Sequence, residues 1–137
     1  MMRRLDQRGG AALEFCLVAV PLFTLVFAIF DFGRYVITMQ SMRTLANASA
    51  RANMVSCYTP AKIANTSPSS CTGDYLTTAQ KQAIAPFLYV NSLTPTVSTT
   101  AGTSALTVTV SQSGFKMLVP VWGTTFNAPS TSTQIPF

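Results

Sequence analysis

Glu14 is the first residue in this chain whose position asks for chemistry. It is the only formal charge between Ala11 and Phe30, inside the stretch GGAALEFCLVAVPLFTLVFAIFDFGR that runs from Gly9 to Arg34. A carboxylate is costly among lipid tails and rare there, so one inside an apolar span marks a functional position by default, with a counter-charge as its natural partner. A plainer alternative puts Glu14 in the first turn of a helix near the headgroups, where a negative charge suits the helix dipole. Cys57 and Cys71 are the second constellation. The chain contains no histidine, and two cysteines without histidine or a second pair make a poor zinc site. In an oxidising compartment they read as a disulfide closing a loop of about fifteen residues, worth ~3 kcal/mol in the chain-entropy picture. Two free thiols are the alternative. Cys16 sits among apolar residues and reads as a small packing hydrophobe.

Catalytic chemistry has little to stand on, and no catalytic residue, metal site or cofactor is expected. The acids Asp6, Glu14, Asp31 and Asp74 are far apart in sequence. Without histidine, Ser-His-Asp and Cys-His arrangements lack their base. No Ser-x-x-Lys motif or phosphate-cradling glycine loop is present. The reading is of a non-enzyme. A net charge of +5 invites a nucleic-acid reading, but three of the nine basic residues, Arg3, Arg4 and Arg8, lie at the very start and the rest are scattered. The basic face with interleaved aromatics expected of a nucleic-acid binder is missing.

The elements that must position these residues begin with a helix. From Ala11 to Phe30 the chain is apolar apart from Glu14, and about twenty residues at ~1.5 Å each cover the ~30 Å of a bilayer core. Overall, 48% of the chain is hydrophobic and 9% is charged, which suits a membrane-tethered protein. The leading arginines place the N-terminus in the cytoplasm and Asp31 onward outside. A secretory signal cut at Ala46-Asn47-Ala48 fails on spacing: the apolar core is too long, and Asp31 and Arg34 stand between it and the cut. Pro21 has no N–H for the carbonyl of Leu17, so a bend or local unwinding is expected there. It either softens a helix that must change surroundings or is one of many prolines tolerated in membrane spans.

The arginines, Gly9-Gly10, small residues, Glu14-Phe15 and a long apolar helix, followed by Asp31-Phe32-Gly33-Arg34-Tyr35, resemble the TadE-like minor pseudopilins of the tight-adherence (Flp) branch of type IV pili. The resemblance covers Arg8 to about Ala52. It implies a prepilin leader cut on the cytoplasmic side after Gly9 by a prepilin peptidase, with Gly10 the first mature residue. Glu14 then stands fifth and Phe15 sixth, the pair such a peptidase reads. It further implies that the new amine of Gly10 and the Glu14 carboxylate of neighbouring subunits pair during assembly. The partners implied are the peptidase, a second minor pseudopilin, the major pilin and the inner-membrane assembly platform. The location implied is the bacterial inner membrane, single-pass, with the C-terminal domain periplasmic and incorporation into an extracellular pilus a further expectation.

Beyond the span, Phe32, Tyr35, Met39, Met42, Ala46 and Ser49 recur at helical spacing, opposite a polar stripe of Gln40, Arg43, Asn47 and Arg51. This predicts an amphipathic continuation to about Met54. Val55 to Tyr75 is turn-rich and reads as a loop bracketed by Cys57 and Cys71. Thr77 to Asn91 reads as a short helix capped by Thr77 or Thr78, shortened or bent by Pro86. Val97 lies in a threonine-serine run of β character. Leu106 to Ser111 alternates as a strand does. Gly114 marks a turn, Phe115 to Trp122 is an edge strand or irregular segment because of Pro120, and Ser130 to Ile135 is a final strand. The expected fold is α+β, a long N-terminal helix, membrane-spanning in its first half, packed on a small antiparallel sheet of three or four strands. The divisions are a basic leader over 1–9, a long helix over 10–54 with its span about 11–30, and a periplasmic α+β domain over 55–137. A membrane-anchored periplasmic binding or adhesion module outside any filament is the competing functional class.

Overall fold

A computed structural model describes residues 7–136 of the 137-residue chain; of the expected leader, Arg3, Arg4 and Asp6 lie outside the described residues. Helix α1 (Gln7–Asn53) is 47 residues long and carries Pro21 in its interior. It stays α-helical across Pro21, so of the bend or local unwinding anticipated there the unwinding does not occur. The Thr24 hydroxyl donates to the carbonyl of Val20 at 2.8 Å, an internal hydrogen bond of the sort that suits a polar side chain to apolar surroundings.

The two halves of α1 have opposite surroundings. The apolar stretch long enough to cross a membrane has none of its residues buried against the protein, with Leu13, Phe15, Leu17, Val20, Ile29 and Phe30 all more than 60% exposed. From Asp31 onward one stripe is covered: Asp31, Thr38, Met42, Leu45, Ala46, Ser49, Ala50 and Asn53 are buried. Their spacing of three, four and seven keeps them on one face. The expected polar stripe of Gln40, Arg43, Asn47 and Arg51 is exposed.

What covers that stripe is a three-stranded antiparallel meander, order β1-β2-β3, made of β1 (Thr96–Ala101), β2 (Ala105–Ser111) and β3 (Ser130–Pro136). The fold is therefore α+β, as expected, with the final strand one residue longer than Ser130–Ile135. Alternation on β2 turns Leu106, Val108 and Val110 inward, all fully buried. Leu106 pairs with Ile135, and Val110 with Val97. Met42, Leu45 and Ala46 form one core cluster with Ala85, Leu88 and Val110. Ala50 joins Cys71, Leu106, Val108 and Ile135 in the other. β2 thus runs antiparallel to α1, from Leu106 beside Ala50 to Val110 beside Met42, and it delivers the chain after Ser111 back toward the span.

The segment expected to be a loop from Val55 is helical at first. A wide π turn (Met54–Tyr58) follows α1 directly and leads into α2 (Thr59–Ile63). Pro60 sits in the first turn of α2, where its missing N–H does least harm. Asn65, at φ 52°, ends the run in a left-handed conformation that asparagine tolerates. Cys57 lies in the π turn and is bonded to Cys71, with Cα atoms 5.7 Å apart. Asn53 secures the same loop by donating from Nδ2 to the carbonyl of Cys71 at 2.7 Å. Helix α3 (Thr78–Ile84) is shorter than anticipated and is opened by a capping box between Thr77 and Gln80. Pro86 then starts a 3-10 turn that breaks at Val90 and Asn91, where the backbone leaves the helical region.

Candidate functional site

The end of the domain next to the apolar half of α1 is built from the two ends of the sequence. After β2 the chain does not turn tightly. Residues 112–129 form a closed-neck loop, held by Gln112 N–H donating to Pro129 O and Ala128 N–H donating to Phe115 O, both at 3.0 Å. Phe115 to Trp122 is thus irregular, ending in one 3-10 turn at Pro120–Trp122. The loop lies against α1 at Asp31. The Asp31 carboxylate is 2% exposed; its Oδ2 accepts the backbone N–H groups of Leu118 (2.8 Å) and Val119 (3.0 Å). Its Oδ1 faces Arg34 Nη1 at 3.1 Å. The Arg34 guanidinium also lies 5.5 Å from the centre of the Phe115 ring, a cation-π distance.

Around this carboxylate the aromatics gather. Tyr35 and Phe126 ring centres are 4.9 Å apart, Trp122 and Phe126 5.8 Å, and Phe32 and Trp122 5.9 Å. Tilted and edge-on contacts of this kind add to plain burial. Asp31, Phe32, Arg34 and Tyr35 of the Asp-Phe-Gly-Arg-Tyr segment each hold some part of the loop. The carboxylate binds its backbone, and the rings and the guanidinium bind its side chains. Sequence reasoning missed this role of Asp31. The nearest available signal was the apolar run after Gly114, which needed a polar anchor for its backbone.

At the other end, Gly10 and Glu14 stand one helical turn apart on the same face of α1. Gly10, Glu14 and Phe15 are all exposed, and no Cβ built on Gly10 would meet another atom within 4 Å. Among the described residues the Glu14 carboxylate has no hydrogen-bond or ion-pair partner, whereas Asp31 is paired with Arg34 and Asp74 with Lys81. Gly9 is helical, so the Gly9–Gly10 bond lies inside the first turns of α1. The structure does not bring this N-terminal group near Cys57 and Cys71, which staple the far end of α1. Cys16 is the free cysteine among the described residues and is exposed on the apolar helix, so within the chain it does not pack as anticipated.

The comparisons with known proteins fall on the same helix. The model of the TadE-like protein family matches residues 9–51. Over that stretch the chain is similar to that family. The match begins at the glycine pair and stops just short of the end of α1, so the TadE-like segment comprises the bare span, the Asp31 junction and most of the packed stripe. The sheet domain lies outside it. No curated protein and no solved structure matches the chain significantly. The TadE-like segment points to the tight-adherence pilus system, and its apolar helix is consistent with single-pass anchoring in a membrane.

Proposed function

We propose that this protein is a minor pseudopilin, a non-enzymatic subunit that takes part in priming or assembling a tight-adherence pilus after a prepilin peptidase removes residues 1–9. The observation that carries the reading is Glu14: a lone carboxylate on a bare apolar helix, without a partner among the described residues, inside the segment that matches the TadE-like family. Such a group needs a counter-charge from outside. Cleavage after Gly9 supplies one in kind, because the Gly10 amine of a neighbouring subunit is positive near neutral pH. Pairing the two neutralises both as helices stack, and the apolar faces of the spans then pack together. Two adjacent glycines weaken the first turns of α1 by about 1 kcal/mol each relative to alanine. The turn that holds the scissile bond therefore opens at little cost for a peptidase. Working partners are that peptidase, a second minor pseudopilin, the major pilin and the assembly platform.

Two substitutions test this. Gly9→Leu puts a bulky side chain at the cut, so the leader stays attached and incorporation into pili fails. Glu14→Leu leaves the scissile bond intact and makes the span more apolar; insertion persists while incorporation drops. N-terminal sequencing of the membrane-extracted protein and immunoblots of sheared pili read both. Normal processing and normal pili in both variants would sink the proposal and leave a plain membrane anchor.

A further inference from the structure

We infer that the loop at residues 117–122 is a second membrane contact, dipping into the outer leaflet beside the span and taking acyl chains into the grooves on either side of it. This inference rests on the reading of α1 as a membrane span and on nothing about pilus assembly. Leu118 and Val121 are 75% and 60% exposed, although the chain around them is anchored. One groove, about 480 Å³, lies between Leu118, Val119 and Val121 of the loop and Thr24, Phe27 and Phe30 of the helix, with Asp31 and Arg34 at its domain end. A second, about 300 Å³, is lined by Trp122 with Leu25, Ala28, Ile29 and Phe32. The loop therefore straddles α1 at the level of its last span residues. Thr24 lies six residues before Phe30, or ~9 Å along the axis at 1.5 Å per residue. That is the depth, about 5–10 Å, at which apolar side chains sit in the headgroup–acyl boundary.

The backbone is prepared for such a place. Irregular chain next to hydrocarbon is tolerated only when its N–H groups are satisfied. Met117 N–H donates to Asn127 Oδ1 at 2.9 Å, and Leu118 and Val119 N–H donate to Asp31 Oδ2. Residue 120 is a proline and has no N–H to satisfy. Four consecutive residues thus offer no free donor, a provision a water-exposed loop does not need. Lys116 is exposed at the neck, and a lysine there can keep its ammonium among lipid phosphates while its stem lies on apolar surface. The loop's apolar surface continues that of the span through Phe27 and Phe30, which identifies lipid as the occupant.

The chain carries its own probes, since Trp122 is the only tryptophan and Cys16 the free cysteine of the span. The intact protein, its Cys16 labelled with bimane, is reconstituted into phosphatidylcholine vesicles brominated near either the headgroup end or the methyl end of the acyl chains. We expect headgroup-end bromines to quench Trp122 at least about twofold more than methyl-end ones, as suits a ring ~5–10 Å deep. Leu118→Ser with Val121→Ser should abolish that difference while the disulfide and the helical circular dichroism stay unchanged. Quenching of bimane without quenching of Trp122 overturns the loop contact and leaves the span standing. No quenching of either probe overturns both. A Trp122 blue shift that grows with protein-to-lipid ratio and ignores bromine assigns the grooves to a second copy of the chain, and likewise overturns the inference.

Discussion

Asp31 shows how much one side chain can carry at the junction between span and domain. Its two oxygens meet Arg34 and the amides of Leu118 and Val119. Removing the acceptor strands two N–H groups in a largely buried site, and each such loss costs about 1–3 kcal/mol. We expect Asp31→Ala to destabilise the fold by about 2–4 kcal/mol, with the loop around Trp122 loosening first, and Asp31→Asn to retain part of that because its amide oxygen still accepts. Thermal unfolding of the full chain in detergent, followed by Trp122 emission and by circular dichroism, checks this. An Asp31→Ala variant within about 0.5 kcal/mol of the parent would make the junction an ordinary surface. The sequence marked Asp31 as part of the Asp-Phe-Gly-Arg-Tyr segment and as the first charge beyond the span, not as an anchor for a distant loop. Its partners are 87 and 88 residues away and are backbone amides, which carry no residue-type signature. Glu14 was legible for the opposite reason, since a single charge in an apolar run needs no tertiary context to stand out.

Elements with strong periodicity were read closely, and those shaped by distant covalent or loop contacts were not. The alternation of β2 is a local pattern and appears as expected. Of the expected helical stripe, Met42, Ala46 and Ser49 are buried, Tyr35 and Met39 half-buried and Phe32 exposed, the covered face taking in Asp31, Thr38 and Asn53 instead. Fully buried Leu45 escaped because threonine and asparagine beside it blur the stripe. The π turn and α2 were read as loop because Tyr58-Thr59-Pro60 looks like a turn. The pitch change that lets Pro60 begin a new helix is set with Cys57 held to Cys71 and Asn53 to the Cys71 carbonyl. Replacing both cysteines by serine should lower stability by ~3 kcal/mol, the chain-entropy value for a loop of this size. Hydrogen exchange should rise most over α2. In the parent, thiol labelling after denaturation without reductant should find Cys16 alone, and three reactive thiols would rule the bridge out. The long β2–β3 loop carries its own strain, because Ala128 adopts φ 48°. An alanine in that region pays about 1–2 kcal/mol that glycine does not. Ala128→Gly should therefore raise the melting free energy by up to about 1 kcal/mol after the extra freedom of glycine in the unfolded chain is counted. Unchanged or lower stability would contradict the strain.

At the scale of the whole molecule, orientation links every part. The span has no protein cover, so lipid or neighbouring spans must supply it, and the side on which the sheet domain emerges decides the state of its cysteines. Arg3, Arg4 and Arg8 precede the span, while Asp31 and Arg34 follow it as a neutral pair. We propose that this asymmetry sets the orientation, with the N-terminus on the cytoplasmic side and the domain outside. A reporter active only in the periplasm, fused after Phe137, should therefore be active in the parent. Changing Arg3, Arg4 and Arg8 together to glutamate removes the bias without touching the folded domain, and it should cut reporter activity by a large factor. The disulfide gives a second, independent reading of the same event. In chains that keep the domain in the reducing cytoplasm, Cys57 and Cys71 should be labelled as free thiols. Reporter activity and disulfide content should fall together across a series of single, double and triple arginine replacements. If the reporter responds while the bridge persists, the bridge forms independently of compartment. If neither responds, the leading arginines do not set the topology, and the domain reaches the outside by another signal.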